Sequence, residues 1–240
     1  MTAPASDRVQ VLTDAGDMPA HLWLPEAGSG PGLLLLQEIF GVSEYIEQRG
    51  ADLAEAGYVV LAPELYWRLP ATGVDETSPA ALADAMGLVS QLDWPTTVDD
   101  AAAAFERLRS LAEVRGGSGV VGFCFGGGLA YNVAAVASPD VLVSYYGSAL
   151  PDLLHLAPSV SAASLHHFGL DDEFNDNAAV ERIREAVTSA PGGPVRFETY
   201  EGANHAFDNP DFMLHHPQAS ALAWERTLSF LSEHLPADRV

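Results

Sequence analysis

The pentapeptide Gly122-Phe-Cys-Phe-Gly126, called the elbow below, constrains the fold of this chain more than any other feature. Val120 and Val121 before it are typical of the end of a buried strand, and the alanine-rich run 129–137 after it is typical of a helix. A nucleophile between two glycines on a sharp strand-to-helix turn is the nucleophile-elbow pattern, here with cysteine where serine is usual. Glycine is needed on both sides because a side chain there would collide with the crowded backbone.

Cys124 is the single cysteine of the chain. The commonest role of a free cysteine is that of a small buried core residue. Two flanking glycines, however, would occur by chance at roughly one cysteine in two hundred. A helix that begins directly behind the sulfur also favours the thiolate through the positive end of its dipole. The pattern therefore favours Cys124 as a nucleophile, and a single cysteine excludes both an internal disulfide and a thiolate-rich metal site.

Apolar segments with strand character alternate along the chain with segments of helical periodicity. This alternation predicts an α/β fold with a mostly parallel central sheet and helices on both faces. No internal repeat or composition break is visible, so we expect a single domain over residues 1–240. The predicted strands are 9–12, 21–24, 32–37, 58–62, a strand ending at 121, 141–146, 163–168 and 195–200, and the predicted helices are 43–56, 80–88, 97–111, 129–137, 178–187 and 219–235.

Two local expectations concern the middle of the chain. Residues 63–94 are irregular and rich in proline and glycine, and we expect them to form an excursion that partly covers the site. In the predicted helix 97–111, Asp99 and Asp100 fall in the first turn, where the helix dipole favours acidic side chains.

The charge balance is strongly acidic, with 33 Asp and Glu against 11 basic residues, all of them arginine, and a net charge of −22. Such a surface repels nucleic acid and anionic membranes. No apolar run is long enough to span a bilayer, and residues 1–8 lack the apolar core of a signal peptide, so a cytoplasmic location is expected. The glycines of the elbow lack the spacing of a dinucleotide-binding loop, and we predict no metal and no organic cofactor. The oligomeric state is left open between monomer and homodimer.

An elbow nucleophile needs a general base, and the base needs an orienting carboxylate. In proteins with such an elbow, the acid and then the histidine follow the nucleophile along the chain. Of the eight histidines, only His205 lies in a short glycine-containing turn directly after a predicted strand. Asp171 and Asp172 follow the preceding strand, and Asp176 is a more distant candidate. Because both loops follow the carboxyl ends of strands, we expect them at the sheet edge where ligands bind, but these residues alone leave the choice of aspartate open.

With these features the chain resembles the dienelactone hydrolase family of α/β hydrolases. The combination of a Gln-Glu-Ile-Phe-Gly turn with a cysteine elbow is highly specific, whereas either alone would be moderately so. The resemblance implies the α/β-hydrolase fold and the hydrolysis of a small ester or lactone without a cofactor. The segments that carry it are Gln37–Gly41, Gly57–Tyr66, Gly122–Gly127, Tyr145–Gly147, Gly169–Phe174 and His205–Phe207.

The resemblance also implies roles for individual residues. In the family, the acid loop reads glycine, two residues and then the catalytic aspartate, which on Gly169 selects Asp172. Glu38 corresponds to a carboxylate that contacts the resting thiol and moves when substrate binds. The main-chain amides of Ile39 and Phe125 then form the expected oxyanion hole.

The chain departs from the family at the positions expected to bind the carboxylate of dienelactone. One arginine is expected four residues after the catalytic histidine, where this chain has Asn209. The other is expected within the excursion, but the stretch 69–105 has no arginine, and Arg68 comes earlier than the family pattern places it. A bound carboxylate without a cation loses a charge-assisted contact on the order of 2 kcal/mol. We therefore expect a neutral ester, lactone or thioester as substrate.

The combined prediction is a cysteine-dependent hydrolase in which His205, oriented by Asp172, takes the proton of Cys124. Trp67, Tyr145 and Phe207 are candidates for lining the substrate pocket, although aromatic residues at strand ends are more often core residues. Three alternatives remain open at this stage: transfer of the acyl group to an alcohol or amine at the same site, a thiol redox sensor, and a binding protein for a small hydrophobic molecule.

Overall fold

The computed structural model describes residues 6–76 and 78–237. Eight strands form one sheet in the order β1-β2-β4-β3-β5-β6-β7-β8, flanked by six α-helices along the described chain. The pairs β3–β4, β6–β7 and β7–β8 are parallel, and only β1–β2 and β2–β4 pair in the antiparallel sense among the registered pairs. This mostly parallel α/β sheet confirms the predicted fold class.

The chain divides into two compact units, residues 1–119 with 236–240 and residues 120–235. The prediction of a single domain over 1–240 stays a prediction. Among the described residues, no helix combines the length and the apolar character that a bilayer span requires.

In the first unit, a β-hairpin leads into two parallel buried strands and their helices. The run of four leucines lies in β3, which is buried along its whole length, as a strand covered on both faces must be. The elements are β1 (Asp7–Thr13), β2 (Gly16–Trp23), β3 (Gly30–Leu36), α1 (Glu44–Glu55), β4 (Val59–Pro63), α2 (Ala81–Val89) and α3 (Trp94–Arg109), and β5 (Val114–Phe123) begins here and ends in the second unit.

The second unit carries the parallel strands of the other half of the sheet. Helix α4 packs on β6, α6 packs on β6 and β7, and α5 packs on β8. The elements are α4 (Phe125–Ala137), β6 (Val141–Tyr145), two short 3₁₀ helices (Leu150–Asp152 and Leu154–Ser159), β7 (Ala163–Gly169), α5 (Asn177–Ser189), β8 (Val195–Tyr200) and α6 (Pro217–His234).

Helix α3 begins three residues earlier than predicted. The side chain of Asp93 caps it by accepting a hydrogen bond from the amide of Thr96 at 3.0 Å, and a proline follows in the first turn. The expectation that Asp99 and Asp100 occupy the first turn was therefore wrong, because the first turn contains no acidic residue. Asp100 is buried and accepts hydrogen bonds from side chains of the same unit instead.

Helix α4 begins at Phe125, directly behind the cysteine as expected, so the glycines that precede the predicted alanine-rich run 129–137 are also helical. A Cβ atom on Gly127 would lie 2.7 Å from the carbonyl oxygen of Tyr145, and one on Gly128 would lie 2.7 Å from Cβ of Ala149. Low helix propensity at these positions is outweighed because only glycine lets the helix approach this segment so closely.

Candidate functional site

The elbow joins β5 to α4 with its cysteine in a strained backbone conformation. Cys124 has φ 53° and ψ −114°, a region that residues with side chains rarely adopt. A Cβ atom on Gly122 would lie 2.0 Å from the carbonyl oxygen of Gly126, so this turn requires glycine there. The amide of Cys124 donates to the carbonyl of Tyr145 at 3.0 Å, and its carbonyl accepts from the amide of Ser148 at 3.2 Å. These bonds attach the turn to the segment that follows β6.

The structure brings His205 and Asp172 together with the cysteine. Nε2 of His205 lies 3.0 Å from Sγ of Cys124, and Nδ1 lies 2.9 Å from Oδ2 of Asp172. All three side chains are buried. This chain of contacts has the geometry of a nucleophile, a general base and an orienting acid. Asp171, the neighbouring alternative, is exposed.

Parallel pairing of β7 with β8 explains how residues far apart in sequence meet. The register pairs Gly169 with Tyr200, so the loops that follow these two residues leave the sheet side by side. A Cβ atom on Gly169 would lie 2.2 Å from the carbonyl oxygen of Ala203. Glycine at this position therefore lets the acid loop and the histidine loop lie in direct contact.

Each carboxylate oxygen of Asp172 has its own partners. Oδ2 faces the imidazole, while Oδ1 accepts hydrogen bonds from the main-chain amides of Phe174 at 2.8 Å and Asn175 at 2.9 Å. Two amides on one oxygen fix the orientation of the carboxylate and leave its other oxygen facing the imidazole.

Asn204 connects the two loops, and the sequence reasoning did not identify it. Its side-chain oxygen accepts from the amide of His205 at 2.6 Å and from the amide of Glu173 at 3.2 Å. An asparagine directly before a candidate histidine is a usable signal, because asparagine side chains commonly accept hydrogen bonds from nearby main-chain amides in turns.

The environment of His205 favours the protonated imidazole. Burial by itself lowers the pKa of His205, but the negative charge of the Cys124 thiolate and the contacts to Asp172 and Cys124 more than offset this, and the pKa is raised to about 10. A raised pKa favours an imidazolium at neutral pH in direct contact with the Cys124 sulfur, an environment of the kind that activates a cysteine nucleophile.

Two aromatic rings flank the imidazole of His205. The ring centroid of Tyr146 lies 5.2 Å from that of His205, and the ring centroid of Phe174 lies 4.8 Å from it. Tyr146 is fully buried, with a positive φ of 37°, and its amide donates to the carbonyl of His167 at 2.7 Å. Phe174 is 56% exposed. Neither ring was predicted as part of the site, although both residues belong to segments that carry the family resemblance.

Tyr145 and Phe207, two of the candidates for the substrate pocket, are fully buried. The Tyr145 hydroxyl lies 2.6 Å from Oγ1 of Thr227, which lies 3.0 Å from Nε2 of His167. Phe207 packs against the rings of Tyr145 and Tyr200. These contacts place both side chains in the aromatic core of the second unit, and a role in substrate binding stays a prediction for them.

The turn of residues 37–41 in the first unit carries Glu38 and Ile39, and two side chains fix it. The side-chain oxygen of Gln37 accepts from the amide of Leu65 at 3.3 Å, and the hydroxyl of Tyr66 donates to the carbonyl of Ile39 at 2.7 Å. Glu38 is buried.

In the second unit, Phe125 is the first residue of α4, where main-chain N–H groups point out along the helix axis. The predicted roles of Glu38, Ile39 and Phe125 are not tested by these contacts.

Trp67 and Arg68 both bind Asp100. The indole N–H of Trp67 donates to Oδ2 of Asp100 at 2.9 Å, and the Arg68 guanidinium binds both carboxylate oxygens at 3.0 and 2.7 Å. The guanidinium also stacks 4.2 Å from the centre of the Trp67 ring. The carboxylate of Asp100 thus binds the guanidinium of Arg68, the arginine that directly precedes the arginine-free stretch 69–105 in sequence. Within the described ranges, no group of three or more His, Cys, Asp or Glu side chains is arranged to hold a metal ion.

Comparison with known proteins gives a consistent result. The model of the dienelactone hydrolase family matches residues 18–235. A carboxymethylenebutenolidase from a Pseudomonas species is 35% identical over 225 residues, covering 92% of each chain, and one from Pseudomonas putida is 34% identical, covering 87% of this chain and 88% of the relative. A crystal structure from Klebsiella pneumoniae, provisionally named a dienelactone hydrolase, matches with a TM-score of 0.83 at 24% identity, over 97% of this chain and 100% of that one.

Proposed function

This chain belongs to the dienelactone hydrolase family and is a lactone or ester hydrolase, and on that premise we propose that it cleaves small neutral esters or lactones through an acyl-cysteine intermediate on Cys124. The observation that carries the proposal is the contact of His205 Nε2 with the cysteine sulfur at 3.0 Å, while the opposite ring nitrogen lies 2.9 Å from Asp172. This arrangement lets one imidazole both activate the thiol and keep a fixed tautomer.

In the first half of the reaction, the Cys124 thiolate attacks the substrate carbonyl and forms a carbon–sulfur bond. The carbonyl electron pair moves onto oxygen, and in our proposal the main-chain amides of Ile39 and Phe125 stabilise that oxyanion. The tetrahedral species collapses, the carbon–oxygen bond to the alcohol breaks, and the imidazolium of His205 gives its proton to the leaving oxygen. An acyl-cysteine and a free alcohol result, or an acyl-cysteine with a tethered alcohol when the substrate is a lactone.

In the second half, water hydrolyses the acyl-cysteine. Neutral His205 takes a proton from the water as it attacks the thioester carbonyl, and the carbon–sulfur bond breaks to give the acid and the cysteine thiolate. Asp172 keeps the imidazole in the tautomer that exposes an acceptor at Nε2 and stabilises the imidazolium that forms. We assign to Glu38 the role that the family resemblance implies, contact with the resting thiol before substrate binds.

The preference for a neutral substrate follows from the positions where a substrate carboxylate would need a cation. Arg68 is engaged by both oxygens of Asp100. Asn209 is buried, and its side-chain oxygen accepts from the amide of Asp211 at 2.9 Å. A net charge of −22 adds a long-range repulsion of anionic substrates.

The test is a substrate panel of dienelactone, neutral lactones and simple aryl esters, run with the wild type and with Cys124→Ala. We expect the wild type to turn over neutral esters or lactones and to show an acyl adduct on Cys124 by mass spectrometry. In Cys124→Ala, kcat should fall at least roughly 1,000-fold, about the size seen when a covalent nucleophile is removed. Dienelactone as the best substrate would overturn the neutral preference alone. Retained activity in Cys124→Ala would overturn the acyl-cysteine mechanism.

The same panel separates hydrolysis from the acyl-transfer alternative. With methanol added at increasing concentration, a hydrolase keeps the acid as its main product, whereas an acyltransferase converts most of the acyl-enzyme into methyl ester. Predominant ester formation at low methanol concentration would contradict the assignment of water as the natural acceptor.

A further inference from the structure

We propose that Phe174 determines the preference of the enzyme for the alcohol part of its substrate, by forming the apolar surface against which the leaving group packs. This inference rests on the proposed function, because it needs His205 to protonate the leaving oxygen. It adds a residue that selects among esters of the same acid.

The position of the leaving group follows from the chemistry at His205. An imidazole that donates its proton to the leaving oxygen must lie within hydrogen-bond distance of it, about 3 Å. The carbon atoms attached to that oxygen therefore lie on the His205 side of the reacting carbonyl, within a few ångströms of the groups that surround the imidazole.

Only one of the two rings that flank the imidazole is exposed enough to contact a ligand. Tyr146 is fully buried, so its ring cannot contact a ligand without rearrangement, whereas Phe174 is 56% exposed while its ring centroid lies 4.8 Å from that of His205. An apolar or aromatic leaving group can bury part of that exposed ring on binding, with an offset or edge-to-face arrangement that aromatic pairs favour.

Asp172, the proposed catalytic acid, holds the backbone of Phe174 beside the imidazole. The main-chain amide of Phe174 donates to Oδ1 of Asp172 at 2.8 Å, while Oδ2 of the same carboxylate faces His205 at 2.9 Å. One carboxylate therefore orients the imidazole and also anchors the residue that stands beside it. A single exposed aromatic residue elsewhere on a surface would need no explanation, but this one is tied to the site through its backbone and its ring.

The experiment compares two acetate esters, phenyl acetate and methyl acetate, in the wild type, Phe174→Ala and Phe174→Leu. Both esters give the same acetyl-cysteine, so the rate constant for its hydrolysis is independent of the alcohol. We expect the ratio of kcat/KM for the phenyl ester to that for the methyl ester to fall roughly 3- to 10-fold in Phe174→Ala, the size of a lost aromatic contact, and less in Phe174→Leu. The acetyl-enzyme hydrolysis rate should stay within about 2-fold of the wild type.

A matched control is Leu222→Ala on α6, another partly exposed apolar side chain of the same unit, which should leave the ratio unchanged. Equal losses for both esters in Phe174→Ala, or a slowed hydrolysis of the acetyl-enzyme with no change in the ratio, would overturn the inference and leave only a general effect on the site. If the wild type forms no acetyl-cysteine, the proposed function fails and this inference with it. Normal acetyl-cysteine formation with an unmoved ratio removes the inference alone.

Discussion

Replacing Asp172 by asparagine tests the chemistry of the site most directly, because the side chain keeps its shape and loses an acceptor. The two oxygens of the carboxylate are engaged on opposite sides, Oδ2 by His205 and Oδ1 by the amides of Phe174 and Asn175. An asparagine can place its single oxygen on only one of these sides, and its NH₂ group must face the other.

The hydrogen bonds at this position determine which orientation of the asparagine side-chain amide is more stable. With its oxygen toward the two amides, the substituted side chain keeps both of those bonds, and its NH₂ group donates to Nδ1 of His205. With its oxygen toward His205, the NH₂ group faces two N–H donors, one buried and one partly buried, which lose their acceptor at a cost of roughly 2–4 kcal/mol. The first orientation is therefore favoured, and it forces the proton of the neutral imidazole onto Nε2.

An imidazole with its proton on Nε2 has no acceptor to offer the cysteine thiol. The productive tautomer carries a penalty of roughly 2–4 kcal/mol, which predicts a fall in kcat of roughly 30- to 1,000-fold for aryl ester hydrolysis. Loss of the carboxylate charge also lowers the pKa of His205 from about 10, so a smaller fraction of His205 is imidazolium at neutral pH. Alkylation of Cys124 by iodoacetamide should slow accordingly, because fewer cysteine sulfurs then have an imidazolium beside them.

Asp171→Asn is the matched control, since this neighbouring aspartate is exposed, and it should stay within about 2-fold of the wild type. Two-dimensional NMR of imidazole nitrogens gives an independent readout, with the proton of His205 on Nε2 in the Asp172→Asn variant. Near-normal activity in Asp172→Asn together with a large loss in Asp171→Asn would refute the reasoning and transfer the acid role to the neighbour.

Two further predictions concern stability. Gly122→Ala should destabilise the fold by at least about 3 kcal/mol and abolish activity, because its Cβ would lie 2.0 Å from the carbonyl oxygen of Gly126. Gly87→Ala in α2 should instead stabilise the fold by about 0.5–1 kcal/mol, because a Cβ there meets no atom within 4 Å. Thermal unfolding of both variants should therefore show melting temperatures shifted in opposite directions. Burial lowers the pKa of His166 to about 4, so below pH 6.5 the unfolded chain binds a proton that the folded one does not, and stability should fall by up to about 3 kcal/mol towards pH 4 through this residue. Denaturant unfolding at pH 6.5 and 4.5 should show a smaller loss in His166→Asn, and an unchanged loss in His155→Asn at an exposed position; equal losses in all three proteins would contradict the assignment.

Most of the architecture was predictable from local patterns. The strand Val195–Tyr200 has its predicted bounds, and most of the other strands and helices differ from prediction by three residues or fewer at each end. Strands and helices could be predicted without knowing the fold because their signals are local: alternating or continuous apolar residues mark the elements, and glycines mark their ends. The departures occurred where local signals competed, as in α4, where close packing outweighs the poor helix propensity of glycine.

The residues of the candidate site were also only partly predictable from local sequence. Chain order and turn chemistry were enough to select His205 and to narrow the acid to Asp171, Asp172 and the more distant Asp176, and only the family resemblance selected Asp172. The structure places Asp172 against the imidazole and leaves Asp171 exposed, because consecutive side chains in a loop point in different directions. The catalytic role of this triad, like the roles predicted for Glu38 and Ile39, stays a prediction until the variants are measured.

The requirement for glycine in the elbow is local to the sequence, since a Cβ atom on Gly122 would collide with the carbonyl oxygen of Gly126 within the same turn. Tertiary structure alone decided the 3.0 Å contact between residues 124 and 205, the pairing of Arg68 with Asp100, and the position of the Phe174 ring on the imidazole. Each of those depends on strands or loops distant in sequence being brought side by side by the sheet. No local pattern contains that information, because the register of strand pairing and the direction of a loop side chain are set by the packing of the whole unit.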